Sequence, residues 1–434
     1  MANITVYSEK GSNRLRYILD WLLEEQMGCT YTLVHDEKAL PHNGFFISYG
    51  KHFINALSIP DKSLLWEQGI KEHSIDTGSW YELPTFYAVK EEDFTLPFDI
   101  FSALFFLLSR YEEYYSFPPD KYGRYPAQSS VLFKNNLLRQ PVVDAWLHQF
   151  ALLLKQQYGV DVKDNKFSYQ PTYDIDIAYS YRNKGLVRTL GAYLKNALKG
   201  NTEMIAERSA VLRGAQKDPY DSFDLLKSLH SDCGMKPVYF ILSALRTSAY
   251  DKNIHPNNPD MHALIQGFAK EGSVGIHPSY YSYVGENMHR EKQVLEKIIL
   301  QDIHLSRQHY IKIKTPDTYR LLLHNGISDD YSMGYGTHLG FRAGTGRSFY
   351  WYDIEKDAAT ELRIHPFCFM DSTALFEEKL SADEAFELLR KMTLRLGKYN
   401  SQLITVFHNF SLGTAKEWNG WSERYAAFLK EMSR

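Results

Sequence analysis

From residue 166 to the end, short apolar runs alternate with amphipathic stretches, and this alternation constrains the fold more than any other feature of the sequence. Strands are expected at Lys166–Gln170, Val238–Leu242, Ser273–Ile276, Leu305–Ile313, Asp329–Met333, Leu362–Phe369 and Leu403–Phe407. Helices are expected between them, at Leu186–Leu198, Ser222–His230, Pro259–Lys270, Glu286–Leu300, from Pro316 to Gly326, from Ser381 to Gly397, and at Trp418–Met432. Ser381 and Glu384 have the spacing of a capping box. Strand–helix alternation of this kind predicts a parallel sheet with helices outside it, closed or nearly closed into a barrel.

In that architecture chemistry sits at the C-terminal ends of the strands. Those ends carry Asp174 and Asp176, then His277, Arg307 with His309, Asp330, His365 and His408. Asp174 and Asp176 are spaced i, i+2, so on a strand they share a face and repel unless a cation, a proton or water intervenes. A lone D-x-D is more often a solvated turn than a site. The histidines at later strand ends give it a different meaning. Asp with one or two His suits zinc or a similar divalent ion with open positions. The second Asp then serves as base and a His across the site as acid. Arg307 is spaced to orient a carboxylate.

The first part, residues 1–165, reads as a smaller α/β domain of unknown role. Ile4–Tyr7 is a strand, and a helix from Ser12 sets Leu15, Ile18, Leu19, Leu22 and Leu23 on one face. The run Leu96–Tyr114 is apolar on nearly every side and should be buried. Pro141 opens a helix that Gly159 closes. No acidic/histidine constellation occurs in this part.

Overall charge of -3 gives no argument for nucleic acid or an anionic membrane surface. The N-terminus has no basic start and apolar run, and Phe98–Ser109 is too short to span a bilayer, so a cytoplasmic location is expected. Three cysteines without metal-type spacing fit a reducing compartment. The sequence holds no G-x-S-x-G, P-loop or G-x-G-x-x-G. Its 31 tyrosines suit a sugar-binding cleft, and equally suit ordinary packing.

The order of the C-terminal motifs resembles the polysaccharide deacetylase (NodB-homology) family. The motifs are Thr172-Tyr-Asp-Ile-Asp, Gly275-Ile-His-Pro-Ser-Tyr-Tyr-Ser, Ser306-Arg-Gln-His-Tyr, Asp329-Asp-Tyr-Ser and Val406-Phe-His-Asn-Phe. The resemblance implies a distorted (β/α) barrel over 166–434 and removal of an acyl group from a carbohydrate or glycoconjugate. It implies Asp174 as base, His277 as metal ligand, Arg307 as the residue positioning the base, and His408 as general acid. The sequence departs from the family at two places. Ile175 stands where the family has its metal-binding Asp, so Asp176 is taken as the ligand, with the roles of Asp174 and Asp176 open to exchange. Tyr281 stands where the family has its second motif His, so His309 is taken as the replacement ligand. Tyr281, Asp330, Arg342 and His365 are then expected on the substrate side. Gly340-Phe-Arg-Ala-Gly-Thr and the aromatic helix of the first domain suggest a divergent subgroup with an extra N-terminal domain.

Two other readings use the same residues. A D-x-D glycosyltransferase accounts for Asp174 and Asp176 and leaves His277, His309 and His408 without work. A non-catalytic carbohydrate-binding protein on a deacetylase fold accounts for Ile175 and Tyr281, while His408 speaks against it.

Overall fold

The structure is a computed structural model, and it describes residues 2–433 apart from 43, 92 and 286. The chain divides into two compact units. The first comprises residues 1–168 with 340–366 and 392–403, and the second comprises 169–339, 367–391 and 404–434. The single cut at 165 expected from sequence therefore misses two later segments that pack with the N-terminal part.

In the first unit, four parallel strands lie in the order Thr30–Val34, Asn3–Ser8, Phe46–Tyr49, Leu57–Ile59. Ser12 caps the helix Asn13–Leu19 by accepting from Leu15 N at 3.0 Å, and Leu15, Ile18 and Leu19 are fully buried. The aromatic helix Ile100–Leu108 is buried along its whole length. Its cap, Asp99, is buried too and satisfies its oxygens with Ser102 N at 2.9 Å, Tyr49 Oη at 2.9 Å and Lys62 N at 2.8 Å. The ribbon Phe349–Asp353 with Ala358–Ile364 is antiparallel. It joins this unit because its aromatics face the helix: the Tyr352 ring lies edge-on to Phe105 at 5.1 Å, and Tyr17 Oη donates to Tyr350 O at 2.7 Å. Contacts between residues so far apart in sequence leave no local pattern, so the expected strand Leu362–Phe369 proves to be two elements, this ribbon and the short strand Phe369–Met370.

The second unit carries the alternating pattern. The strands Ser168–Ile175, Val238–Leu242, Ser273–His277, Leu305–Ser306 and Asp329–Asp330 pair in that order, each parallel to the next. On the other side of Ser168–Ile175 comes Gln402–His408, which pairs in parallel with Phe369–Met370. Helices Leu186–Leu198, Thr202–Leu212 and Phe223–Cys233 fill the first crossover, and Pro259–Glu271 fills the second. Asn258 caps the latter. Asn287–Ile299 follows, and Glu286, its expected first residue, lies outside the described residues. Among the described residues no helix is long and apolar enough to cross a membrane.

Three further strand expectations are corrected. Asp329–Met333 is a strand only at Asp329–Asp330. The first strand is not confined to Lys166–Gln170 but runs through the Asp174 motif to Ile175. Leu305–Ile313 is a strand only at Leu305–Ser306. Beyond it the chain turns through His309–Ile311, where Tyr310 and Ile311 take positive φ of 60° and 53°. Arg307 and His309 therefore do not share a strand face, and the turn brings them to the same place by another route.

Candidate metal and acid–base site

Pairing of Ser168–Ile175 with Val238–Leu242, and of Val238–Leu242 with Ser273–His277, aligns the ends of three strands. Asp174 faces the site from within the first strand, and Asp176 follows its last residue. His277 ends the third strand, and His408 ends the strand on the other flank of the first.

Asp176 is the hub. Its Oδ1 lies 3.1 Å from His277 Nε2, and its Oδ2 lies 3.5 Å from both His309 Nε2 and His408 Nε2. Ligand atoms of Asp176, His277 and His309 all fall within 4.8 Å of one another. Each imidazole is held from behind. His277 Nδ1 is 2.6 Å from Arg307 O, His309 Nδ1 is 3.1 Å from Asp251 Oδ1, and His408 Nδ1 is 2.7 Å from Asp371 Oδ1. A carbonyl or carboxylate at Nδ1 puts a proton there, and at His277 this leaves the Nε2 lone pair toward Asp176.

This sets a test for a cation. Asp176 Oδ1 is buried without a hydrogen bond, although His277 Nε2 is 3.1 Å away. With its proton on Nδ1, His277 offers Nε2 as an acceptor, so two acceptors face each other inside the protein. That arrangement is costly unless a positive charge enters between them. One carboxylate and two imidazoles are a donor set for zinc or a similar borderline ion, and the oxygen partners at Nδ1 are the usual outer support of such ligands. The residues fit a metal.

Asp174 is bound differently. Arg307, fully buried, donates from Nη1 to Asp174 Oδ1 at 2.8 Å and from Nε to Tyr331 O at 2.9 Å. Asp174 Oδ2 lies 3.9 Å from His277 Nε2. Burial works against charge on His408, but Asp371 and Asp176 overcome it and hold its pKa well above the ordinary imidazole value. Burial likewise works against His309, and Asp176 and Asp251 raise it to about 9, so a cation entering here would take the place of that proton.

The structure thus brings together Asp174, Asp176, His277, Arg307, His309 and His408. The other sequence candidates have different surroundings. Asp330 is fully buried and accepts from Ser306 Oγ, Ser332 Oγ and Ser332 N at 2.8, 2.8 and 2.9 Å. Ser332 Oγ in turn accepts from Gln308 N at 2.8 Å, so Asp330 braces the turn between Arg307 and His309 instead of facing substrate. Arg342, expected on the substrate side, is buried in the first unit against Glu113, with contacts of 2.8 and 2.7 Å. His365 also lies in the first unit, its Nδ1 2.8 Å from Ser348 Oγ. Tyr281 is 61% exposed, at the edge of a tyrosine group in which Tyr250 stacks on Tyr280 at 3.8 Å and Tyr310 abuts His309 at 4.7 Å.

Sequence reading missed Asp251 and Asp371. Asp251 sits in a loop without periodicity. Asp371 follows a two-residue strand, too short to register as a pattern. A carboxylate just past a strand that neighbours the His408 strand is the only signal it offered.

Residues 4–159 match the model of a family of unknown function, DUF7033. No curated protein matches the chain. Among solved structures, the allantoinase PuuE is similar at 11% identity and a TM-score of 0.40, covering 62% of this chain and 84% of its own. The polysaccharide deacetylase Bc1974 from Bacillus cereus is similar at 12% identity and a TM-score of 0.30, covering 62% and 88%. A mutant of the CE4-family pseudoenzyme BA3943 with restored enzymatic activity is similar at 8% identity and a TM-score of 0.30, covering 62% and 64%.

Proposed function

We propose that this protein is a metal-dependent hydrolase that removes an acyl group, N-acetyl or O-acetyl, from a carbohydrate or glycoconjugate, on a distorted (β/α) barrel. The observation that carries the reading is the pair of facing acceptors, Asp176 Oδ1 and His277 Nε2, beside a His held by its own carboxylate. Asp176, His277 and His309 would hold the ion, and a carboxylate with two imidazoles suits zinc. Such an ion supplies Lewis acidity toward the acyl carbonyl. Asp174, oriented by Arg307 Nη1, takes the proton of the attacking water. His408, kept protonated by Asp371, gives a proton to the departing nitrogen or oxygen. Tyr281, exposed at the edge of the tyrosine group, offers a flat apolar ring with a hydroxyl, suited to a sugar.

A second reading, a carbohydrate-binding protein without activity, draws on Tyr281, an exposed side chain where the resemblance calls for a ligand. Calorimetric zinc titration of the full chain separates the two. His277→Ala and His309→Ala should each weaken zinc binding by about 10-fold or more, while His408→Ala leaves it in place. Unchanged zinc affinity in His309→Ala would remove the third ligand and move the assignment to the non-catalytic reading.

A further inference from the structure

The helix Leu186–Leu198 faces the wrong way for a soluble protein. Leu186, Val187, Leu190, Leu194 and Leu198 are 82, 87, 66, 66 and 83% exposed. At 3.6 residues per turn they fall, with the exposed Gly191 and Ala197, on one arc of roughly 140°. The side turned to the protein is polar: Asn196 is buried, and Tyr193 Oη bonds Ser209 Oγ at 2.8 Å with the Arg208 guanidinium over its ring. Scattered exposed apolar residues need no explanation, but a contiguous leucine stripe does.

The charge around the stripe indicates what covers it. From Arg182 to Gly200 the sequence holds Arg182, Lys184, Arg188, Lys195 and Lys199, and no Asp or Glu. Arg188, Lys195 and Lys199 are exposed and follow the stripe along one edge. An apolar face bordered by cations, on a helix too short to span, is the form of a helix that lies in the interface of an anionic bilayer. Arg182 is paired with Asp221 and Asp260, so the exposed cations are Arg188, Lys195 and Lys199, and a second copy would bring the same cations to the stripe and no acidic edge. The helix is also well fastened: Arg188 Nη2 and Lys184 Nζ donate to Lys252 O at 3.1 and 3.3 Å, next to Asp251, which orients His309.

We infer that the leucine face of Leu186–Leu198 docks this protein on an anionic lipid surface. The test is co-sedimentation of the full-length protein with vesicles of phosphatidylglycerol and phosphatidylcholine, beside vesicles of phosphatidylcholine alone. Wild type should bind the anionic vesicles, and about tenfold more weakly the neutral ones. Leu190→Glu with Leu194→Glu should abolish binding, and both positions are exposed, so thermal unfolding reports an intact fold. Lys195→Glu with Lys199→Glu should weaken binding about tenfold or more without touching the apolar face. Three results would overturn the inference. One is no binding of wild type to anionic vesicles, and another is unchanged binding by the leucine variant. The third is a wild-type dimer, seen by sedimentation velocity, that the leucine variant dissociates while neither form binds vesicles.

Discussion

Asp371 holds His408 at two points: its Oδ1 lies 2.7 Å from His408 Nδ1, and its Oδ2 accepts the His408 backbone N–H at 2.7 Å. One carboxylate thereby fixes both the ring and the strand end that carries it. Asp371 is fully buried, so the contact is shielded from competing water. Asp371→Asn preserves shape and the option of a hydrogen bond but removes the charge that favours a protonated imidazole. Acyl release should slow by about 10²-fold, within the range for general acid–base loss, with zinc binding retained. Acetate release from an acetylated chito-oligosaccharide, measured beside zinc titration, checks this. A parallel loss of zinc binding would make His408 a ligand instead of an acid.

The two carboxylates of the first strand should separate in the same assays. Asp174 has the Arg307 contact and Asp176 has the three imidazoles. Asp174→Asn should lower turnover by roughly 10²–10⁴ with zinc still bound, whereas Asp176→Asn should lose zinc first. The reverse pattern would exchange their roles.

How much of this was legible in the sequence depends on the range of the interaction. Val238–Leu242 shows in the sequence because five buried apolar residues in a row need no partner to be recognised. The capping box is equally local, and it forms, with Ser381 N donating to Glu384 Oε2 at 2.9 Å. The D-x-D pair was visible, but its meaning depended on His277, more than a hundred residues away. Asp251, Asp371 and the packing of 340–366 with the first unit rest wholly on tertiary contacts. The leucine helix was visible as a helix near Leu186–Leu198. Its direction was not, because periodicity marks an apolar face without saying whether the protein covers it. The overall charge of -3 also concealed a local run of five cations.

In the first unit, Glu113 lies between two guanidinium groups, with Arg110 Nε at 2.8 Å and Arg342 Nη2 at 2.7 Å. Burial pushes its carboxyl up, but Arg342 and Arg110 outweigh this and lower it to about 2. Removing one partner of a buried pair is costly, so Arg342→Ala should destabilise the protein by about 3–5 kcal/mol in urea unfolding. Zinc affinity of the folded fraction should not change. A loss under about 1 kcal/mol would mean that Arg110 alone suffices to hold Glu113.

His230 sets a pH dependence of stability. Its Nε2 is 2.7 Å from Tyr173 Oη, which also bonds Tyr425 Oη, and its Nδ1 lies 3.5 Å from Tyr239 Oη. Burial alone lowers its pKa from 6.5 to about 4. Unfolded, the ring takes up a proton near its ordinary value, while folded it resists down to about 4. Its contribution is therefore fully present above about 6.5 and lost as pH falls toward 4, by about 3 kcal/mol at most. His230→Gln keeps a donor and an acceptor for the tyrosines and has no proton to gain. Unfolding free energies of wild type and variant, measured in urea between pH 7.5 and pH 4 at about half-unit steps, should converge as pH falls, wild type losing more. Parallel curves across that window would show that His230 takes up its proton in the folded protein as readily as in the unfolded one.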